Sequence, residues 1–301
     1  MLKRLIKKIA TFLIIYTPAK EILLKIIVKR GYHLKKPIYF FRVLENIFWE
    51  QYFCKIKNPY FQREITNKSL LNGNGEKWAK IYFDKAPKNF NELKKIKVGK
   101  ISGIEANPIY QEIYNFIKKE ELNNSKTSLI QIGSCSGSDL LFFENYFKKI
   151  KYISTDINSE IINFQKKNIK KKKILYFKCY ADEINKCIEK YCRDSKNLII
   201  FSIGSLQYVN SFFLKKMYLN LTKRYNKKIN LFINEPILNF KNKDSINKSL
   251  CKGNFSFSHN YDSHFKKFKL KKKLIISPYS DSENNYIKHY YSNYEFFLSK
   301  I

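Results

Sequence analysis

The chain has 301 residues, with 58 basic against 25 acidic side chains and a formal net charge of +33. Hydrophobic residues make up 44% and aromatics 16%, which excludes disorder throughout and suffices for one large domain or a domain with an appendage. Only six of the basic residues are arginine (Arg4, Arg30, Arg42, Arg63, Arg193, Arg224), and lysine is spread along the chain beside abundant asparagine and isoleucine. That weighs against a dedicated nucleic-acid binder, which favours the bidentate guanidinium. Biased codon usage in an AT-rich genome gives such a composition unaided.

The N-terminus places Leu2, Leu5, Ile6 and Ile9 at helical spacing, with Lys3, Arg4, Lys7 and Lys8 between them. Its longest uncharged run, from Ile9 to Ala19, is 11 residues, too short to span a bilayer. Three readings compete. One is a signal peptide, with "TPA" before Lys20. The second is an interfacial helix in which residues 1–30 meet an anionic membrane surface. The third is an amphipathic helix packed on the protein, which needs the same periodicity. Residues 37–71 predict further helix and loop, with Tyr39, Phe40, Phe41, Phe48 and Trp49 as core aromatics. The turn-rich "NGNGEKW" (72–78) divides a helical extension, 1–74, from a domain over 75–301. Two helical patterns around a loop follow, and they include Tyr110, Gln111 and Tyr114.

From residue 129 short β-type runs alternate with helical ones: "LIQIG", "KYISTD", "ILYFKCY", "NLIIFSIG" and "INLFINEP". This predicts an α/β fold, a parallel sheet with helices on both faces. "KKLIISPYS" and "NYIKHYYS" supply two more strands, the final pair antiparallel. The lysine runs 170–173 and 271–273 read as solvated strand caps. Cys54, Cys135, Cys179, Cys187, Cys192 and Cys251 form no C-x-x-C pair and no metal-type spacing with histidine. Free thiols, no metal and a reduced, cytoplasmic protein are expected.

The stretch "QIGSCSGSD" (131–139) follows a strand pattern and opens a helix, the context of a glycine-rich nucleotide loop. Asp156 ends the next strand, 23 residues after Gly133, where a carboxylate can accept both hydroxyls of a ribose. The same spacing serves nicotinamide dinucleotides, and an Asp capping a helix near Asn158 is an equally plain reading.

Here the chain resembles the class I S-adenosylmethionine-dependent methyltransferases, whose first motif is an acid followed by G-x-G-x-G. Gly133 and Gly137 match the outer glycines, while Cys135 stands at the middle one and Gln131 at the acid. The resemblance covers residues 75–300, best over 129–236. It implies a Rossmann-like sheet and S-adenosylmethionine bound by Gln131, Gly133, Ser134, Cys135, Gly137, Asp156 and Ile157. Asp182 would contact the adenine amino group. Ser202 and Gly204 in "LIIFSIGSLQYV" would reach the cofactor, with Leu206, Gln207 and Tyr208 lining the methyl-transfer channel.

The implied activity is methyl transfer to a small molecule, a sugar or lipid-linked glycan intermediate. RNA methylation and a non-catalytic binding protein with a degenerate loop are the alternatives. The [DN]-P-P-[YF] and Pro-Cys signatures of DNA base methylation are absent from the sequence. A hydroxyl acceptor needs a base. His259, in the aromatic loop 253–265 with Asn260, Tyr261 and His264, is the first candidate and Glu235 the second. A loop histidine satisfied by its neighbours is the competing reading of His259. Tyr110 and Gln111 could line the site, or Tyr110 and Tyr114 could pack its covering helix.

Overall fold

The computed structural model describes residues 2–19, 21–22, 52–71, 73–98, 101–103, 108–170, 173–222, 227–236, 249–253, 255–266, 268–276 and 294–300. The aromatics expected in a core at Tyr39, Phe40, Phe41, Phe48 and Trp49, and the strand expected at "NYIKHYYS", lie outside them. Helix α1 is Leu2–Tyr16. A single 3₁₀ turn, Phe53–Lys55, leads to α2, Pro59–Leu70. There the Asn58 side chain accepts from the N–H groups of Tyr60 and Phe61, and Pro59 occupies the first turn. Helices α3 (Gly75–Lys85) and α4 (Phe90–Lys95) precede a two-residue ladder of β1 (Lys97–Val98) and β2 (Ile101–Ser102). Helix α5 is Ile109–Lys119.

Then strand and helix alternate as the pattern predicts. In order they are β3 (Thr127–Ile132), α6 (Ser138–Tyr146), β4 (Lys151–Asp156), α7 (Ser159–Asn168), β5 (Ile174–Lys178), α8 (Ile184–Tyr191), β6 (Asn197–Ile203), α9 (Ser211–Thr222) and β7 (Lys228–Pro236). A hairpin of β8 (Ser249–Gly253) and β9 (Ser256–His259) follows, then a single turn α10 (Tyr261–His264), β10 (Lys269–Ile276) and β11 (Tyr294–Lys300).

The main sheet has seven strands in the order β10-β11-β7-β6-β3-β4-β5. The five central and right-hand strands, β7 to β5, are mutually parallel. β11 runs antiparallel to both β7 and β10. The lysines at 271–273 lie inside β10 rather than capping it, because β10 is the outer strand of this sheet.

The period of two along each strand sorts its side chains into two cores. Ile130, Ile200 and Leu231 face Ile184, Ile188, Leu214 and Met217 of α8 and α9. Leu129, Ile199 and Phe232 face Ile113 and Ile117 of α5 and Phe142 and Phe143 of α6. All are essentially inaccessible to solvent.

A third cluster joins Ala10 and Ile14 of α1, Phe53, and Ile65 of α2 to Phe255 and Phe257 of the β8–β9 hairpin. The expected boundary at residue 74 therefore does not isolate what precedes it: α1 and α2 share a core with residues from the last third of the chain.

The same region corrects the expectation of six free thiols. Cys54 and Cys251 form a disulfide, with Cα atoms 5.4 Å apart. Their separation of 197 residues hides the pairing from any local reading of spacing. Cys135, Cys179, Cys187 and Cys192 are free, and the last three are buried. Closing so long a loop restricts the unfolded chain, which is worth about 2–4 kcal/mol. We expect a reductant, or Cys54→Ser with Cys251→Ser, to lower Tm by roughly 4–12 °C. Thermal melts check this, and alkylation of the unfolded but unreduced chain should label the four other thiols only.

Candidate active site

Between β3 and β6 the strand order reverses, with β4 and β5 on one side and β7 on the other. Loops leaving the carboxyl ends of such strands part and open a crevice. A cavity of about 770 Å³ lies there. Its wall is built largely from the loops after β3, β4, β5 and β6 and from helices α2 and α3.

The loop after β3 turns through left-handed backbone at Gly133 (φ +66°), Cys135 (φ 45°) and Gly137 (φ 74°). A Cβ on Gly133 would lie 2.2 Å from the Ser205 Oγ, so no other residue fits there. Cys135, at the middle-glycine position, pays the strain of a side chain in that region. Its thiol is pushed up to about 12, by burial first and then by Asp156 and Asp139. Ser134 is buried among Ser154 and Gln165: the Ser154 hydroxyl lies 2.6 Å from its Oγ, and the Gln165 amide donates to it at 2.9 Å. Gly133, Ser134, Cys135, Asp156, Ile157 and Gly204 all line the cavity, whereas Gly137 backs onto Ile169 and Gln165 behind it.

Asp156 ends β4 with 7% of its surface exposed. Its Oδ2 accepts from the Cys135 N–H at 3.1 Å and its Oδ1 from the Asn158 N–H at 2.9 Å. Burial raises its carboxyl to about 6 in spite of these donors. The helix cap is Asn158, whose side chain accepts from the Glu160 N–H. Asp156 is therefore left to bridge the glycine loop and the cavity.

Gln131 is 2% exposed and lines the cavity. Its amide donates to Asp139 of α6, which also accepts from the Tyr110 hydroxyl of α5. Tyr110 serves both of its expected roles, since it lines the cavity and packs its ring on Phe142 and Phe143. Gln111 turns outward and pairs with Asn115, while Tyr114 packs against Phe90 and Tyr146. Gln131 and Gln207 line the cavity, and the amide oxygen of each is buried with no hydrogen-bond partner.

Other expected residues lie behind the wall. Asp182 is 1% exposed and does not line the cavity. It is ion-paired with Arg63 of α2 and lies 3.2 Å from Lys216 Nζ. The two residues before it, Tyr180 and Ala181, line the cavity instead. Ser202 and Glu235 are fully buried together. Glu235 accepts from the Ser202 hydroxyl at 2.5 Å and from the N–H groups of Ser205 (2.8 Å), Leu206 (2.9 Å) and Gln207 (3.2 Å). It shapes the loop after β6, and burial raises its carboxyl to about 7.

His259 is also fully buried, on β9, and is not part of the wall. Its Nδ1 lies 2.7 Å from the Ser249 Oγ, which also meets His264 Nε2 at 3.0 Å. Its own Nε2 makes no hydrogen bond, although the backbone of Val209 and Leu206 lies near enough to favour a proton weakly. Burial and then His264 push its imidazole down to about 3. Asn260 and Tyr261 begin the turn α10 rather than reaching the site. Of the three candidate catalytic groups, Tyr208 alone lines the cavity.

Sequence reasoning missed Asp139, Tyr180 and the contribution of α2. Asp139 is visible as an acid in the first turn after the glycine loop. Arg63 is not visible: its guanidinium lies 3.1 Å from the centre of the Phe213 ring and 4.4 Å from that of Tyr180, a product of folding alone. Glu235→Ala should cost about 3 kcal/mol, because it strands several buried donors at once. Glu235→Gln, which keeps one acceptor oxygen, should cost less, and urea unfolding curves measure both.

No protein-family model matches the chain, and no curated protein matches it. Among solved structures it is similar to a sarcosine dimethylglycine methyltransferase candidate from Galdieria sulphuraria. The two share 10% identity and a TM-score of 0.51 over 74% of this chain and 98% of that one. It is also similar to a methyltransferase candidate from Thermobifida fusca YX, at 13% identity and a TM-score of 0.46 over 84% and 99% of the two chains. A third is the magnesium protoporphyrin IX methyltransferase from Synechocystis PCC 6803, solved with bound S-adenosylmethionine, at 10% identity and 0.46 over 79% and 95%. At such identities only the fold is common property, and it is carried by the first of these. The chain has the α/β, Rossmann-like fold of the class I methyltransferases.

Proposed function

We propose that the protein is an S-adenosylmethionine-dependent methyltransferase acting on a small molecule. The observation that carries the reading is the Asp156 carboxylate, which spans the left-handed glycine loop and a cavity at the strand-order reversal. A carboxylate at this place suits a ribose diol, and the glycine loop lets a ligand approach the backbone closely. A volume of about 770 Å³ suits a nucleoside and a small acceptor together.

When bound, the cofactor supplies an electrophilic methyl group on a sulfonium. The chain's own work is then binding, alignment and exclusion of water. Asp156 holds the ribose, and Ile157, Tyr180 and Ala181 flank the base. Gly133, Ser134, Cys135 and Gly204 form the backbone cradle, and Gly137 turns the chain into α6 behind it. Gln207 and Tyr208 face the acceptor. Asp182, Ser202 and Glu235 act from behind by fixing α2 and the loop after β6. With His259 and Glu235 withdrawn from the cavity, a nucleophile that needs no protein base suits the site best. Trp78 and Tyr82, stacked at 6.2 Å on α3, line the same cavity and would suit the flat face of a sugar ring or another planar acceptor.

A membrane role for α1 belongs to the same reading. Ala10 and Ile14 pack inward, whereas Leu5, Ile9, Phe12, Leu13 and Tyr16 are exposed on one stripe. Lys8 is exposed beside them. No helix among the described residues is long and apolar enough to cross a membrane. An apolar stripe with lysine at its border fits the interface of an anionic leaflet.

Two outcomes are expected. Asp156→Asn should weaken S-adenosylhomocysteine binding at least tenfold at pH 8, measured by calorimetry, with the fold retained. The ionised carboxylate is the binding form, and in the free protein it is lost as pH falls through about 6. Wild-type affinity should therefore be level above pH 7 and decline toward tenfold per pH unit well below 6, a slope Asp156→Asn removes. Full-length protein should cosediment with vesicles containing anionic lipid, less so at high salt, and Phe12→Glu with Leu13→Glu should leave it in the supernatant.

A further inference from the structure

We propose that the Cys54–Cys251 disulfide is a redox-operated clasp on the cover of the cavity, closed when oxidised and loosened by a dithiol reductant. The clasp would regulate the site described above, and it rests on the methyltransferase reading only for the ligand that reports on it. The bond sits where the parts of the cover meet. Cys54 lies in the 3₁₀ turn just before α2. Cys251 lies on β8 directly opposite Phe257 of β9, so the two side chains share a face of the hairpin. Phe257 lines the cavity, and its ring packs 6.0 Å from that of Phe53, the neighbour of Cys54 in the chain. The Phe53 carbonyl accepts from the Gln62 amide of α2 at 3.3 Å, and the next residue, Arg63, lines the cavity. β9 also packs on the turn Leu206–Tyr208, which brings Tyr208 to the cavity wall. One covalent bond thus ties α2 to the hairpin that backs the acceptor end of the site.

The floor is held otherwise. Gly133, Asp156 and Glu235 are fixed by hydrogen bonds among the strand-end loops, which reduction leaves in place. The bond is also open to reagents: Cys54 and Cys251 are half-buried, whereas Cys179, Cys187 and Cys192 are buried. Accessible disulfides are the labile ones. Burial pushes the thiols of Cys135 and Cys179 up to about 12, so neither supplies a thiolate to attack the bond from within. Exchange therefore waits for an external dithiol. Its thiolate attacks one sulfur of the pair and expels the other, giving a mixed disulfide. Its second sulfur then closes the reagent's own disulfide and releases the remaining cysteine. Two electrons and two protons pass to Cys54 and Cys251, which end as thiols. What is left between α2 and the hairpin is ring packing and one neutral hydrogen bond. That joint opens locally while the sheet stays folded.

Amide hydrogen exchange of the full chain, oxidised and after dithiothreitol, tests this. In the reduced protein the amides of α2 and β9 should exchange at least about tenfold faster, and those of β3 and β4 should change less than about twofold. Cys54→Ser with Cys251→Ser should match the reduced wild type and show no further response to dithiothreitol. Reoxidation of the wild type should restore slow exchange. By calorimetry, S-adenosylhomocysteine should bind the reduced form at least about threefold more weakly than the oxidised form. Equal exchange, or equal affinity, in the two redox states would overturn the proposal. So would loss of protection throughout the sheet on reduction, which would make the bond a staple of the whole fold. If the oxidised protein binds no S-adenosylhomocysteine, the methyltransferase reading fails, and the exchange comparison alone decides the clasp.

Discussion

Everything at the crevice depends on how closely two loops approach. The carbonyl of Gly133 accepts from the Ser205 hydroxyl at 3.1 Å, and a Cβ on Gly133 would fall inside the Ser205 side chain. One loop ends β3, and the other ends β6. At this strand pair the chain reverses its direction of travel across the sheet, so helices leave on opposite faces and the loops would otherwise diverge. Glycine's left-handed backbone closes the β3 loop, and Glu235 closes the β6 loop by gathering the amides of residues 205 to 207. A carboxylate that resembled a catalytic base is therefore part of the frame. The crevice floor is rigid because each half is held by buried polar groups that have no solvent to fall back on.

The cover of the cavity is of a different kind. Helices α2 and α3 reach it through polar latches. Arg63 pairs with Asp182, the Asn67 amide donates to the Tyr180 hydroxyl at 3.0 Å, and the Gly75 N–H donates to Glu160 at 2.8 Å. Each latch joins a residue from before position 80 to one from after position 155. The segment that composition and turn signals set apart as an extension is thus bound, through Arg63 and Asn67, to the end of β5. The floor of the crevice comes from one stretch of sequence and its roof from another.

What could be read in the sequence follows from what is local. A strand's end, a glycine loop and the acid one strand later lie within about thirty residues, and each carries its own backbone requirement; β3, Gly133, Gly137 and Asp156 were legible for that reason. Facing direction is less local. Asp182 and Tyr180 differ by two residues inside one 3₁₀ turn, and only the turn decides that Tyr180 meets the cavity while Asp182 meets Arg63. His259 was expected on a loop, yet its strand pairs with β8 and buries it. Cys54 and Cys251 meet because the N-terminal segment packs on the β8–β9 hairpin, which no spacing rule could foretell.

The lysine surplus has one place where it changes what the molecule can do. β10 is the outer strand of the seven-stranded sheet, and four of its eight residues are lysine: Lys269, Lys271, Lys272 and Lys273. An outer strand carries unpaired backbone amides and carbonyls that could template another chain. A second copy adding its own β10 would bring like charges within roughly 5 Å across the new ladder. The lysine surplus thereby acts at this edge as a guard against aggregation, and among the described residues the sheet ends at β10.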